Sequence, residues 1–117
     1  MWSDSWADEP DSRNTVEKLK KEGIIRAFGL SLNRWEPENG IKAIRTGLVD
    51  SVQVIYSIFD QSPEDELFPA SQELNIGVIV RVVLDEGSLG GKMTRETKFP
   101  PLTGGRAISI PRIWPTP

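Results

Sequence analysis

From residue 14 onwards, amphipathic polar stretches alternate with short, almost unbroken apolar runs. In "NTVEKLKKEG" Asn14 is placed to cap a helix, Glu17 three residues on completes a capping box, and Gly23 offers a left-handed stop. The run "IIRAFGL", Ile24 to Leu30, then reads as a strand. A second unit opens at Pro37, a first-turn position, puts Ile41 and Ile44 on one face and stops at Gly47; "SVQVIYS", Ser51 to Ser57, is its strand. The third has Ser62 before Pro63, Glu64 and Asp65 in its first turn, Leu67 and Leu74 on one stripe and Asn75 at its end. Its strand is "IGVIVRVVL", Ile76 to Leu84.

The strand centres, near Ala27, Val54 and Val80, lie 27 and 26 residues apart. Such spacing is too long for hairpins and fits helical crossovers between parallel strands, so the expected class is α/β with three parallel strands and alternating helices. Strands this apolar are expected to be covered on both faces. Arg26, Gln53 and Arg81 interrupt them. A polar group inside a buried strand is costly unless paired or facing water, so the three mark either a shared polar cleft or salt bridges and sheet-edge positions. Elsewhere the regularity stops: five of the nine prolines follow Phe99, and "GGRAISIPRIWPTP" offers at most the strand "AISI". The organisation expected is one domain over 1–117, with an α/β core at 14–93 and irregular flanks at 1–13 and 94–117. Trp2, Trp6 and Trp114 in those flanks are candidate anchors over exposed apolar surface.

Composition removes several classes of function. A chain of 117 residues, with 38% apolar residues rising to about 46% when its ten glycines are added, has the size and makeup of one small globular domain. A net charge of −3 gives no basic field for nucleic acid or an anionic membrane, and neither is expected as a partner. The absence of His and Cys excludes imidazole and thiol catalysis, disulfides and zinc–thiolate sites, so no metal site is expected. The acidic start "MWSDSWADEP" is unlike a signal peptide and no apolar run reaches spanning length, which makes a cytoplasmic setting the expectation.

One stretch, "RVVLDEGSLGGKM", invites a nucleotide reading. A P-loop counted back from Gly91-Lys92 would need glycine where Glu86 stands and a hydroxyl where Met93 stands, so that pattern fails. What remains is a turn at a strand end with free backbone N–H groups for an anion, or simply a turn.

The whole run from "LKKEGIIRAFGLSLN" through "VDSVQVIY" and "DELFPASQELNIGV" to "RVVLDEGSLGGKM" resembles the middle-to-late part of an aldo-keto reductase, over about residues 14–99. The resemblance implies a partial (β/α)8 (TIM) barrel, with these strands as its fifth to seventh, and an NADP cofactor. By that likeness Ser31 and Asn33 match the Ser and Asn that hydrogen-bond the nicotinamide carboxamide, with Leu32 between them where many members have the two adjacent. Gln53 matches the glutamine that assists, and such short polar groups suit an amide, which both donates and accepts. Arg81 stands where many members stack an aromatic ring on the nicotinamide, and a guanidinium also stacks. Leu84, Gly87, Ser88 and Leu89 fall in the loop over the pyrophosphate. Val83 replaces a common proline and Ser57 an asparagine.

The same resemblance implies what is lacking. The family reduces carbonyls with a hydride from NADPH, using an Asp, a Tyr acid, a Lys and a His from earlier strands; here there is no His, and the one tyrosine, Tyr56, lies on the sixth-strand equivalent. Asp60, Asp85 and Glu86 fall near strand ends, where barrel chemistry occurs and where solvated acids also sit. A complete barrel takes about 250 residues. The expectation is therefore a non-catalytic barrel fragment, truncated, recombined or engineered, with weak or absent NADP binding. The alternative is a residual NADP-binding half-barrel, or half of a split reductase that needs a complementary half-barrel. Exposed strand edges predict a homo-oligomer in either case.

Overall fold

The computed structural model describes residues 4–33 and 36–97; the "AISI" segment, Trp2 and Trp114 lie outside them. Helix α1 runs Pro10–Lys21, starting before Asn14 rather than after it. Proline's fixed φ and missing N–H suit a helix's first turn, and with Glu9 at the cap position and Asp11 in that turn, this start prevails over the Asn14 capping box. Asn14 is thus interior, and Glu17 pairs with Lys21 one turn on, at 2.9 Å. Lys18, Lys20 and Lys21 complement the negative end of the helix dipole, and Gly23 then turns the chain at φ +71°.

The three strands are shorter than the apolar runs: β1 Gly29–Ser31, β2 Ser51–Ile55 and β3 Gly77–Arg81, all parallel in the order β1-β2-β3. Before β1 the Asp50 side chain stands in for the ladder, accepting the Phe28 N–H at 2.7 Å while the Asp50 N–H is donated to the Phe28 carbonyl at 2.8 Å. After β3, Val82 at φ +60° takes the backbone out of strand geometry. The second and third helices begin as 3-10 turns, Pro37–Asn39 and Ser62–Glu64, and continue as α2 Gly40–Ile44 and α3 Leu67–Glu73. Gly47 at φ +75° and Asn75 at φ +54° provide the expected left-handed exits.

Right-handed crossovers between neighbouring parallel strands put their helices on the same side of the sheet. Leu30, Val52 and Val54 face that side and are buried with Ala43, Ile44, Val49, Leu67 and Ala70. Leu74, expected beside Leu67, is half-exposed because it is the cap residue where the helix ends; Ala70 and Ser71 fill the i+3 and i+4 positions. The expectation of a sheet covered on both faces is not met among the described residues. Ile79 is 54% exposed, and Val78 and Val80 on the outer strand are also open to solvent.

The segment expected to be an irregular N-terminal flank is folded onto this core. A 3-10 helix at Asp4–Asp8 carries Trp6, which is buried and stacks on Phe28 with ring centroids 5.2 Å apart. Asp8 pairs with Lys42 of α2, fastening the segment to the helix layer.

Candidate functional site

Register decides which side chains share a face. Ser31 is level with Gln53, Gln53 with Ile79, and Ile55 with Arg81. Residues level in a parallel ladder point the same way and the strand period is two, so these five occupy the face opposite Leu30, Val52 and Val54. The sheet thereby brings Ser31, Gln53 and Arg81 to one side, towards the carboxyl ends of the strands. Arg26 does not join them: it precedes β1 and is exposed, so only two of the three polar interruptions share this face.

Leu32 has a structural place. Its N–H continues the ladder to the Gln53 carbonyl at 2.8 Å, and its side chain packs so closely over the start of α2 that a Cβ on Gly40 would come within 2.6 Å of it. Leucine thus turns to the helix side; Asn33 lies past the last ladder residue of β1, where the strand period no longer fixes its face.

Arg81 spans the sheet. Its Nη2 donates to the Leu32 carbonyl at 3.3 Å, reaching from β3 over β2 to the end of β1. The guanidinium is half-buried, its Nε is buried without a hydrogen-bond partner, and among the described residues it forms no ion pair.

The glycine-rich loop folds as a 3-10 segment, Asp85–Gly90, through several left-handed residues. Gly87 at φ +93° and Gly91 at φ +72° accept this freely, whereas the β-branched Val82 at φ +60° is strained by about 1–3 kcal/mol. The expected free N–H groups are largely used within the loop. Those of Gly87 and Leu89 are donated to the Leu84 carbonyl, at 2.9 and 3.2 Å, and that of Asp85 to the Val82 carbonyl, at 2.9 Å. The Ser88 hydroxyl donates to the Asp85 carboxylate at 2.9 Å. Left-handed residues close the loop on itself, and Leu84 is left exposed.

Tyr56 lies on the other side of the sheet. One residue past Ile55, it packs edge-on against Phe68 of α3, 5.1 Å between centroids, and donates its hydroxyl to the Glu64 carboxylate. That bond raises its pKa, with smaller contributions from desolvation and the Glu64 charge. Asp60 belongs to a tight turn, exchanging backbone bonds with Ser57 at 3.0 and 3.1 Å and accepting the Ser62 hydroxyl. No cluster of metal-binding side chains occurs among the described residues. A hollow of about 270 Å³ on the outside of α1 is lined by Glu17, Lys18, Lys21 and Glu22, whose charges pair with one another and leave no sign for a ligand to read. The Leu32 carbonyl and the apolar Ile55 and Ile79 were not read from the sequence as part of this face; counting in twos from Gln53 and Arg81 finds both isoleucines.

Polar side chains collected at the carboxyl ends of parallel strands, with helices on the opposite face, are the arrangement of a (β/α)8 barrel site. The chain belongs to the aldo/keto reductase family, whose profile matches residues 2–106. The match is wider than the stretch from 14 to 99 and takes in the N-terminal flank and part of the C-terminal one. The chain is 35% identical over 81 residues to an NADH-specific methylglyoxal reductase of Escherichia coli (strain K12), covering 69% of this chain and 24% of that protein. It is 31% identical over 77 residues to a probable aldo-keto reductase 1 of Glycine max, covering 66% and 22%. Among solved structures it is similar to the glycerol dehydrogenase of Gluconobacter oxydans, with a TM-score of 0.66 and 30% identity, covering 77% of this chain and 27% of that one. The fold is a partial aldo-keto reductase barrel, and the chain spans about a quarter of the length of these relatives. No described helix is long and apolar enough to cross a membrane.

Proposed function

We propose that this chain supplies the nicotinamide-holding part of an aldo-keto reductase barrel and does not by itself reduce carbonyl compounds. The observation that carries this reading is the gathering of Ser31, Gln53 and Arg81 on the one sheet face that no described helix covers. A carboxamide presents one acceptor and two donors, and the Ser31 hydroxyl and Gln53 amide can answer both. When bound, the cofactor supplies a hydride; the residues here hold and orient its amide end.

The loop after β3 fits the pyrophosphate less well, since its donors turn inward and it carries Asp85 and Glu86. Binding is accordingly weak, with a Kd of about 0.1–1 mM, or about 4–5 kcal/mol. NADP is the cofactor favoured by the family likeness, and because one relative is named NADH-specific, NADH belongs in the same titration.

Carbonyl reduction needs a general acid within hydrogen-bond reach of the substrate oxygen. Tyr56, the chain's sole tyrosine, is committed to Glu64 on the helix side, and there is no histidine. The outer strands β1 and β3 and the exposed Ile79 support association with a second copy or a complementary half-barrel.

Titration of NADPH by its fluorescence tests the reading. Weak, saturable binding that disappears in the double variant Ser31→Ala, Gln53→Ala is expected. Micromolar affinity, or binding indifferent to both substitutions, would overturn it. Turnover of small aldehydes that is lost in Tyr56→Phe would overturn the claim of inactivity.

A further inference from the structure

We infer that Arg81 makes this site discriminate between the two redox states of a nicotinamide, binding the neutral reduced ring in preference to the cationic oxidised one. The inference rests on the reading of Ser31 and Gln53 as the carboxamide's partners. Position comes first. Because its guanidinium reaches from β3 to the Leu32 carbonyl just past β1, Arg81 crosses the part of the face where a ring must lie once Ser31 and Gln53 hold its amide.

Charge comes second. The hydrogen bond to a neutral carbonyl fixes the guanidinium without cancelling its charge, and among the described residues no acid pairs with it. Its neighbours on the face, Ser31, Gln53, Ile55 and Ile79, are all uncharged. Asp85, four residues along, is engaged by the Ser88 hydroxyl. A half-buried, uncompensated cation is screened less than a surface lysine, and it repels another cation held beside it.

Third, the two redox forms differ in charge at the ring alone. The oxidised pyridinium carries a positive charge in the ring and the dihydropyridine carries none, so repulsion falls on one form only.

Calorimetric titration of the chain with NADPH and with NADP+ isolates this term, because the two ligands share every group except the ring. The expected ratio is about tenfold in favour of NADPH at low salt, shrinking as salt is raised from about 20 to about 500 mM. Arg81→Gln is expected to bring the ratio close to one, and Arg81→Lys to retain most of it. Should Arg81→Gln fail to fold, as judged by circular dichroism, the salt dependence of the ratio in the unaltered chain decides. Equal affinities at low salt, or a preference that neither salt nor Arg81→Gln changes, overturn the inference while leaving the nicotinamide site standing. Binding of neither form overturns both.

Discussion

The two faces of the sheet are built from alternate residues of the same strands and obey different rules. On the helix side Leu30, Val52 and Val54 are buried, with only Val78 and Val80 of the outer strand open; on the other face Gln53 and Ile79 stand open and Ile55 alone is buried. Burial of a valine or leucine is worth about 1.5–3 kcal/mol, whereas a polar amide enclosed without partners would cost a comparable amount. Strand β2 therefore reads Val52-Gln53-Val54 as buried, exposed, buried. The lesson is that core positions and the positions proposed for binding alternate residue by residue along one strand.

The sharpest way to break that comparison is to cut equally into both faces. Leu67→Ala and Ile44→Ala, at side chains 1% exposed, are expected to lose about 2–5 kcal/mol, while Gln53→Ala, between two core valines, stays within about 0.5 kcal/mol. Urea unfolding checks this, and similar losses on the two sides would show that the open face is packed in solution.

A smaller effect is expected at the amino end of the sheet. Asp50 accepts the Phe28 N–H at 2.7 Å and Lys20 at 2.7 Å, while its carbonyl accepts the Gly77 N–H at 2.9 Å, so it gathers all three strands with α1. Lys20's hydrogen bond, followed by that of Phe28, holds its carboxyl below the usual range. A depressed folded pKa means that the unfolded chain takes up the proton first. The stabilisation is present above about pH 4 and is lost as pH falls through the folded value. Asp50→Asn should flatten that acid limb, and Asp50→Ala should cost about 1–2 kcal/mol, modest because the carboxylate is partly solvated. An acid limb unchanged in Asp50→Asn would sink this assignment.

Ile79→Lys should leave the protomer's stability within about 0.5 kcal/mol, because the side chain is already 54% exposed, yet shift association. The unaltered chain is expected to scatter light as a dimer or larger, and the variant to move towards the 13.1 kDa protomer, since lysine on an outer strand opposes pairing. A monomeric unaltered chain that unfolds cooperatively would refute the association.

Element types and their sequence were legible because period and punctuation agreed: each helix ended at Gly23, Gly47 or Asn75 as written, and spacings of 27 and 26 residues fit helical crossovers between parallel strands. Strand lengths were not, because apolar runs mark burial rather than pairing. Residues 24–28 look like strand yet meet β2 only through Asp50 at their end. The helix start at Pro10 was hidden by a plausible cap four residues on. At the site, Gln53 and Arg81 announced themselves as polar breaks in apolar runs, but Arg26 did so equally, and only register separates them. The loop's inward-facing donors were not legible, since glycines allow left-handed φ without saying which bonds it closes.

The finest test concerns Tyr56, the chain's only tyrosine, so its phenolate absorbance reports one residue. The Glu64 hydrogen bond to its hydroxyl, with desolvation and the Glu64 charge adding, raises its pKa above the ordinary value of about 10. A raised folded pKa means that the contact contributes fully below the unfolded value and is lost as pH climbs through the folded one, so the chain should weaken on the alkaline side. Glu64→Gln should bring the titration midpoint down towards the ordinary value and flatten that limb. Because Tyr56 packs on Phe68 beneath α3, saturating NADPH should leave the midpoint where it was. If cofactor moves it, the tyrosine senses the open face, and the division of the sheet into a structural and a binding side does not hold at the end of β2.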